Sequence, residues 1–166
     1  MYLRLTKQLK YLLLLGLLII TLTSVIVHSA SIYESEKARF RVVSLVSGLV
    51  HPWSLAFLPD GDLLITERPG RLRVVRLGHL LEVPIAGVPV VAAVGQGGLL
   101  DVVLHPDFAT NRLLCLSYNR PDSDSNSTAI ICAELVGDRL INSQVIFVAE
   151  PKLRGGKHFG CRLVFD

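Results

Sequence analysis

The sequence predicts an all-β fold made of β-propeller blades, with about the first two blades of a ring inside its 166 residues. Short runs of alternating apolar residues are bounded by turn residues throughout, as half-buried strands require. Pro59-Asp60 and Pro106-Asp107 mark two similar strand-turn-strand units 47 residues apart. That spacing falls within the period of about 40–50 residues that four-stranded blades show in sequence. No stretch carries the apolar period of an amphipathic helix. An irregular β-sandwich uses the same short strands and is the competing architecture.

Residues 1–30 stand apart from this pattern. Arg4, Lys7 and Lys10 precede an uncharged run from Tyr11 to Val27, followed by small or polar residues. This is the layout of a secretory signal peptide, with cleavage expected after Ser29. A retained amino-terminal anchor is the alternative, because the 17 residues from Tyr11 to Val27 lie at the lower edge of a membrane span. The propeller is therefore expected over residues 31–166. The protein is expected in the periplasm or secreted, touching a membrane only through an uncleaved leader.

The strands follow in order. Phe40 to Val46 is expected as the first. Trp53 to Leu58 and Leu63 to Thr66 flank Pro59-Asp60-Gly61-Asp62, whose proline and glycine supply the fixed and positive φ angles of a tight reversal. Arg71 to Arg76 continues the unit. The second unit runs from Leu99 to Leu104, turns at His105-Pro106-Asp107, and resumes from Leu113 to Tyr118. Further strands are expected at Ala129 to Leu135 and Ser143 to Val148, and a third unit begins at Arg162 to Asp166. The polar stretch Arg120 to Thr128 has little to bury and is expected as a mobile hairpin loop. Its Asn126-Ser127-Thr128 matches a glycosylation acceptor.

Charge and cysteine usage narrow the function classes. The chain holds 17 Lys+Arg against 14 Asp+Glu, but three of the bases lie in the leader, leaving 14 against 14. Nucleic-acid binding leaves a basic stripe, so no nucleic-acid partner is expected. The positive mean hydropathy owes much to the leader. Cys115 and Cys132 lie at nearly equal distances from the middle of the polar stretch, so a hairpin sets them roughly opposite each other. Small buried residues in facing strands is the favoured reading, and a disulfide is the other, open to an exported protein. Cys161 has no evident partner. Three cysteines without a paired spacing or clustered histidines give no zinc signal, and no metal ligand is assigned.

Two segments carry chemistry. Gly155-Gly156-Lys157-His158-Phe159-Gly160-Cys161-Arg162 sets a histidine among glycines, which let the backbone approach a ligand while the imidazole can take a proton. Val94-Gly95-Gln96-Gly97-Gly98-Leu99-Leu100-Asp101 is a glycine-rich turn before a strand. It is no phosphate loop, since no Gly-Lys-Ser/Thr follows. Together with His105-Pro106-Asp107-Phe108, Trp53 with Phe57, and Thr66-Glu67-Arg68-Pro69-Gly70, these segments resemble the glucose/sorbosone dehydrogenases that use pyrroloquinoline quinone. The resemblance covers nearly all of residues 43 to 166.

The resemblance implies a six-bladed propeller, with this chain as an amino-terminal part of the sugar dehydrogenase domain. It implies oxidation of the anomeric hydroxyl of an aldose to a lactone, with the quinone as hydride acceptor. His158 falls at the family's catalytic base and Gln96 at a pocket residue that contacts substrate. Calcium is implied as a second cofactor. Its ligands and those of the quinone are expected beyond residue 166, so no cofactor-binding residue is assigned, and neither is the electron acceptor. Two positions depart from the family's pattern. Cys161 stands where glycine is usual, and Lys157 stands where glucose-oxidising members can carry an acid. His105 is expected to fix a turn, His51 and His79 carry no constellation, and Arg162 is expected to pair with an acid or line the pocket. A non-enzymatic propeller binding module of the cell surface or periplasm is the alternative, and a lactonase-like metal site a third reading.

Overall fold

A computed structural model describes residues 31–166. The leader expected over residues 1–30 lies outside the described residues. The chain divides into two compact units, residues 1–43 and 44–166.

The described part of the first unit is a small antiparallel hairpin of β1 (Ile32–Glu34) and β2 (Arg39–Arg41). Tyr33 stacks on Phe40 with ring centroids 5.7 Å apart, and Arg39 pairs with Glu34 at 2.5 Å. The strand expected from Phe40 to Val46 is thus shorter. Its partner β1 has three residues and its first, Ile32, pairs with Arg41, so the ladder ends there.

The second unit contains two four-stranded antiparallel meanders, each a propeller blade, as the sequence predicts. The first holds β3 (Pro52–Phe57), β4 (Leu63–Glu67), β5 (Arg71–Arg76) and β6 (His79–Leu80) in that order. The second holds β7 (Leu99–Leu104), β8 (Leu113–Pro121), β9 (Asn126–Val136) and β10 (Arg139–Val148). Between β7 and β8 lies the short helix α1 (Phe108–Asn111), a single turn with Phe108 buried.

The blades pack face to face over an apolar core. Leu64, Leu72 and Val74 from the first meet Leu114, Leu116, Ala129, Ile131, Ala133 and Leu135 from the second. Each fully buried leucine contributes about 1.5–3 kcal/mol relative to exposure. Period-two alternation orients β9. Ser127, Ala129, Ile131, Ala133 and Leu135 are buried, while Asn126, Thr128, Ile130, Cys132 and Glu134 on the other face are half-buried. Innermost β7 lies beside β3 and β4, which sets the start of the second blade against the start of the first.

Three expectations change. The polar stretch Arg120 to Thr128 is mostly ladder. Asn119 pairs with Thr128, Arg120 with Ser127 and Pro121 with Asn126, leaving only residues 122–125 as the turn. Main-chain bonds extend the hairpin without apolar side chains, and ion pairs from Lys152 to Asp122 at 2.6 Å and from Arg154 to Asp124 brace its tip. Cys115 and Cys132 face each other in register, as the hairpin argument requires, and are joined as a disulfide rather than packed as free thiols. The third strand unit expected from Arg162 forms no strand, because no ladder partner stands beside it among the described residues.

Candidate active site

The end of the blades where β4 and β8 finish and β7 begins gathers both chemical segments. The Leu99 N–H donates to the Arg68 carbonyl at 3.0 Å, joining β7 to the turn after β4. The preceding loop is held by Asn119 of β8. Its backbone N–H donates to the Gly98 carbonyl at 2.8 Å, and its Nδ2 donates to the Ala92 carbonyl at 2.7 Å. The Arg68 guanidinium donates to the Gly95 carbonyl. Gln96 therefore stands exposed on a loop pinned at both ends.

The segment from Gly155 to His158 closes on that loop. The Gln96 N–H donates to the Gly156 carbonyl at 2.7 Å, and the His158 N–H donates to Gln96 Oε1 at 3.1 Å. Asn126 Nδ2 donates to the Gly155 carbonyl at 2.9 Å. The approach requires a residue without Cβ, since a Cβ on Gly95 would stand 2.3 Å from the Gly156 oxygen. His158 is exposed and has φ of 65°, a left-handed conformation.

The structure thus brings Gln96 and His158 together across 62 residues of sequence. A cleft of about 600 Å³ opens beside His158, lined by Thr128, Glu150, Lys157, His158 and Phe159 among others, and Gln96 is not part of its lining. His105 lies at the opposite end of the blade, where its Nδ1 accepts the Asp107 N–H at 3.0 Å and fixes the turn. Cys161, at a position where glycine was the expected residue, is not in the positive-φ region, so its Cβ meets no backbone penalty.

Behind His158, the chain is gripped by residues that the sequence reading passed over. Leu163 N–H donates to Asp101 Oδ2 at 2.7 Å, and Ser54 Oγ donates to Asp101 Oδ1 at 2.5 Å. Arg162 pairs with Asp101 at 3.5 Å and also lines an apolar cleft with Trp53 and Leu55. The signal was present, since Asp101 is the one charged residue in the apolar run from Leu99 to Leu104. A second buried carboxylate, Glu67, accepts the Val50 N–H at 2.6 Å and Arg71 Nε at 2.5 Å. Burial pushes this carboxyl up, but the bonds from Arg71 and Val50 and the charges of Arg71 and Arg73 outweigh it. Its pKa lies below the ordinary carboxylate value.

The two meanders are propeller blades, and a glutamine and a histidine meet at one end of them. The sequence model for glucose/sorbosone dehydrogenase matches residues 49–166, and the chain belongs to that family. Aldose sugar dehydrogenase YliI of Escherichia coli is 48% identical over 133 residues, covering 78% of this chain and 36% of the relative. A crystal structure of glucose dehydrogenase superposes with a TM-score of 0.70 at 52% identity, covering 75% of this chain and 37% of that one. The pyrroloquinoline quinone-bound aldose sugar dehydrogenase of Streptomyces coelicolor matches with a TM-score of 0.53 at 28% identity, covering 66% and 34%. The chain spans 35% and 36% of the length of the curated relatives it matches. The two sheets are accordingly about two blades of the six-bladed propeller.

Proposed function

We propose that this chain, within a complete propeller, forms part of a quinone-dependent aldose dehydrogenase that oxidises the anomeric hydroxyl of a sugar to a lactone, with His158 as general base. The observation that carries this reading is the contact between His158 and Gln96, two residues 62 apart in the sequence. Gln96 Oε1 is occupied by the His158 N–H, which leaves its Nε2 free to donate to a sugar hydroxyl. The His158 imidazole, exposed beside the cleft, can accept the hydroxyl proton as the anomeric hydride departs.

The surface around the base suits a flat ring. A Cβ built on Gly155 or Gly160 would meet no atom within 4 Å, so the backbone is bare at these two positions. Pyrroloquinoline quinone would supply the hydride acceptor there. Lys157, exposed at the cleft, fits one of its carboxylates. Among the described residues no three His, Cys, Asp or Glu side chains converge, and we place the calcium ligands in the blades outside this chain. Export behind a cleaved leader completes the proposal. The mass of the exported protein should then correspond to a chain beginning at Ala30, and a full-length product in the membrane would reject cleavage.

The test uses the protein with its complete propeller, supplied with the quinone, calcium, an aldose and an artificial electron acceptor. Acceptor reduction is expected, and His158→Ala should lower turnover by about 10²- to 10⁴-fold, the usual worth of a positioned base. Near-normal turnover in His158→Ala would remove the base and leave a binding propeller as the better reading.

A further inference from the structure

We infer that Asp101 is a positioning residue for His158, acting through the backbone of Leu163. This rests on the dehydrogenase reading of the same site and adds to it a group that holds the base without touching the substrate. Asp101 is 2% exposed within an apolar strand. A buried carboxylate is tolerated only where donors satisfy it. Its nearest basic partner, Arg162, is 3.5 Å away with a side chain 76% exposed, so that pairing is weakened by water. The short donors are Ser54 Oγ at 2.5 Å and the Leu163 N–H at 2.7 Å. One ties β7 to the neighbouring blade, and the other ties it to the segment that bears His158.

The same strand pair grips that segment a second time. The Asp101 N–H donates to Ser117 Oγ at 3.0 Å, and Ser117 Oγ donates to the Cys161 carbonyl at 2.7 Å. Residues 157–166 belong to no strand or helix, so these bonds do the work of a ladder. His158 needs such support. Its left-handed backbone, with φ of 65°, is strained and persists only where the surroundings over-determine it. Gln96 fixes the chain at and before His158, and Asp101 with Ser117 fixes it afterwards.

Asp101→Asn keeps the shape and loses an acceptor. In the complete propeller, hydrogen exchange at the Leu163 amide should accelerate by about 10-fold or more. Turnover should fall about 10- to 10²-fold with KM within about 3-fold, because a displaced base is felt in the transition state more than in binding. Ser54→Ala removes the other short partner of the same carboxylate without touching the His158 segment. It should lower the thermal midpoint comparably, yet leave Leu163 exchange and turnover near those of the parent. Should Asp101→Asn fail to fold, Ser117→Ala should show the same split between kcat and KM in smaller degree.

Unchanged Leu163 exchange in Asp101→Asn, or equal losses of turnover in Asp101→Asn and Ser54→Ala, would overturn the inference. So would an absence of the split in Ser117→Ala. If the complete protein oxidises no aldose, the exchange measurement still decides the role of Asp101. If it does so, and loses activity in His158→Ala but not in Asp101→Asn, the functional reading stands and this inference falls.

Discussion

The two ends of the blades are built from contacts of different range. At the end holding the first turn, Gly61 N–H donates to the Leu58 carbonyl at 3.0 Å and Asp62 N–H to Asp60 Oδ1 at 3.1 Å. The matching turn of the second blade uses His105, Asp107 and Asn111 in the same way, with Leu113 N–H donating to Asn111 Oδ1 at 2.9 Å. At the other end, Arg68 reaches Gly95 across 27 residues, while Gln96 meets His158 and Asp101 meets Leu163 across 62. A local turn is a property of a few consecutive residues and survives whatever happens elsewhere. The long-range end exists only once both blades are folded, and it is there that Gln96 and His158 are set against one another.

Gly95 and Gly156 test that difference most severely. In Gly95→Ala, the new Cβ would stand 2.3 Å from the Gly156 oxygen, and the residue would hold an unfavourable φ of 56°. Backbone must move, and the segment carrying His158 is what can yield. Displacement of a catalytic group by about 1 Å costs on the order of 10²-fold in rate. In the complete propeller, Gly95→Ala should lower turnover by about that factor, with a smaller fractional change in stability. Unaltered turnover would mean that the contact of the two loops does not set the base.

The range of the contacts also explains what could be read in the sequence. Pro59, Asp60 and Gly61 announce their turn by composition, and the strand of Leu63 to Thr66 follows from the short apolar run after it. The facing of Cys115 and Cys132 follows from symmetry about one hairpin, whereas their bonding depends on geometry that symmetry does not fix. His158 and Gln96 were legible through their neighbouring residues, but nothing in either segment says that they touch. Asp101, Ser117 and Asn119 act on loops 27 to 62 residues distant, and only the oddity of a carboxylate in an apolar strand marked one of them. The hairpin tip from Arg120 to Thr128 was misread for the opposite reason. Polar composition argues against burial, yet a ladder needs only main-chain groups.

Glu67 sharpens the comparison by separating position from chemistry. It lies at the long-range end, wholly buried, but its partners Val50, Arg71 and Arg73 serve the first blade and not the cleft. Glu67→Gln should cost about 3 kcal/mol of stability near neutral pH, the scale of breaking a buried, hydrogen-bonded ion pair. Turnover of the folded fraction should remain unchanged. Because the folded carboxyl titrates below its ordinary value, its stabilisation is present above about pH 4.3 and is lost as pH falls through the folded pKa. Denaturation measured against pH should show the variant and the parent converging in acid. A gap that persists unchanged below that range would show that the charge of Glu67 is not what holds the β4–β5 end.

Gly61 offers the matched, smaller perturbation at the local end. Its φ of 93° is less suited to a side chain than the 56° of Gly95, but a Cβ there would meet nothing within 4 Å. Gly61→Ala therefore carries the backbone penalty without the steric one. About 1–2 kcal/mol of stability should be lost, the cost of placing a side chain on left-handed backbone. Turnover should stay at the parent value, because the new Cβ would meet no atom and the turn lies at the far end of the blade from Gln96 and His158. Comparing the thermal midpoint and kcat of Gly61→Ala with those of Gly95→Ala removes backbone strain as the common factor and leaves contact with Gly156 as the difference. A loss of turnover in Gly61→Ala as large as that in Gly95→Ala would show that the two ends are coupled through the strands, and that the local turns help to set the base.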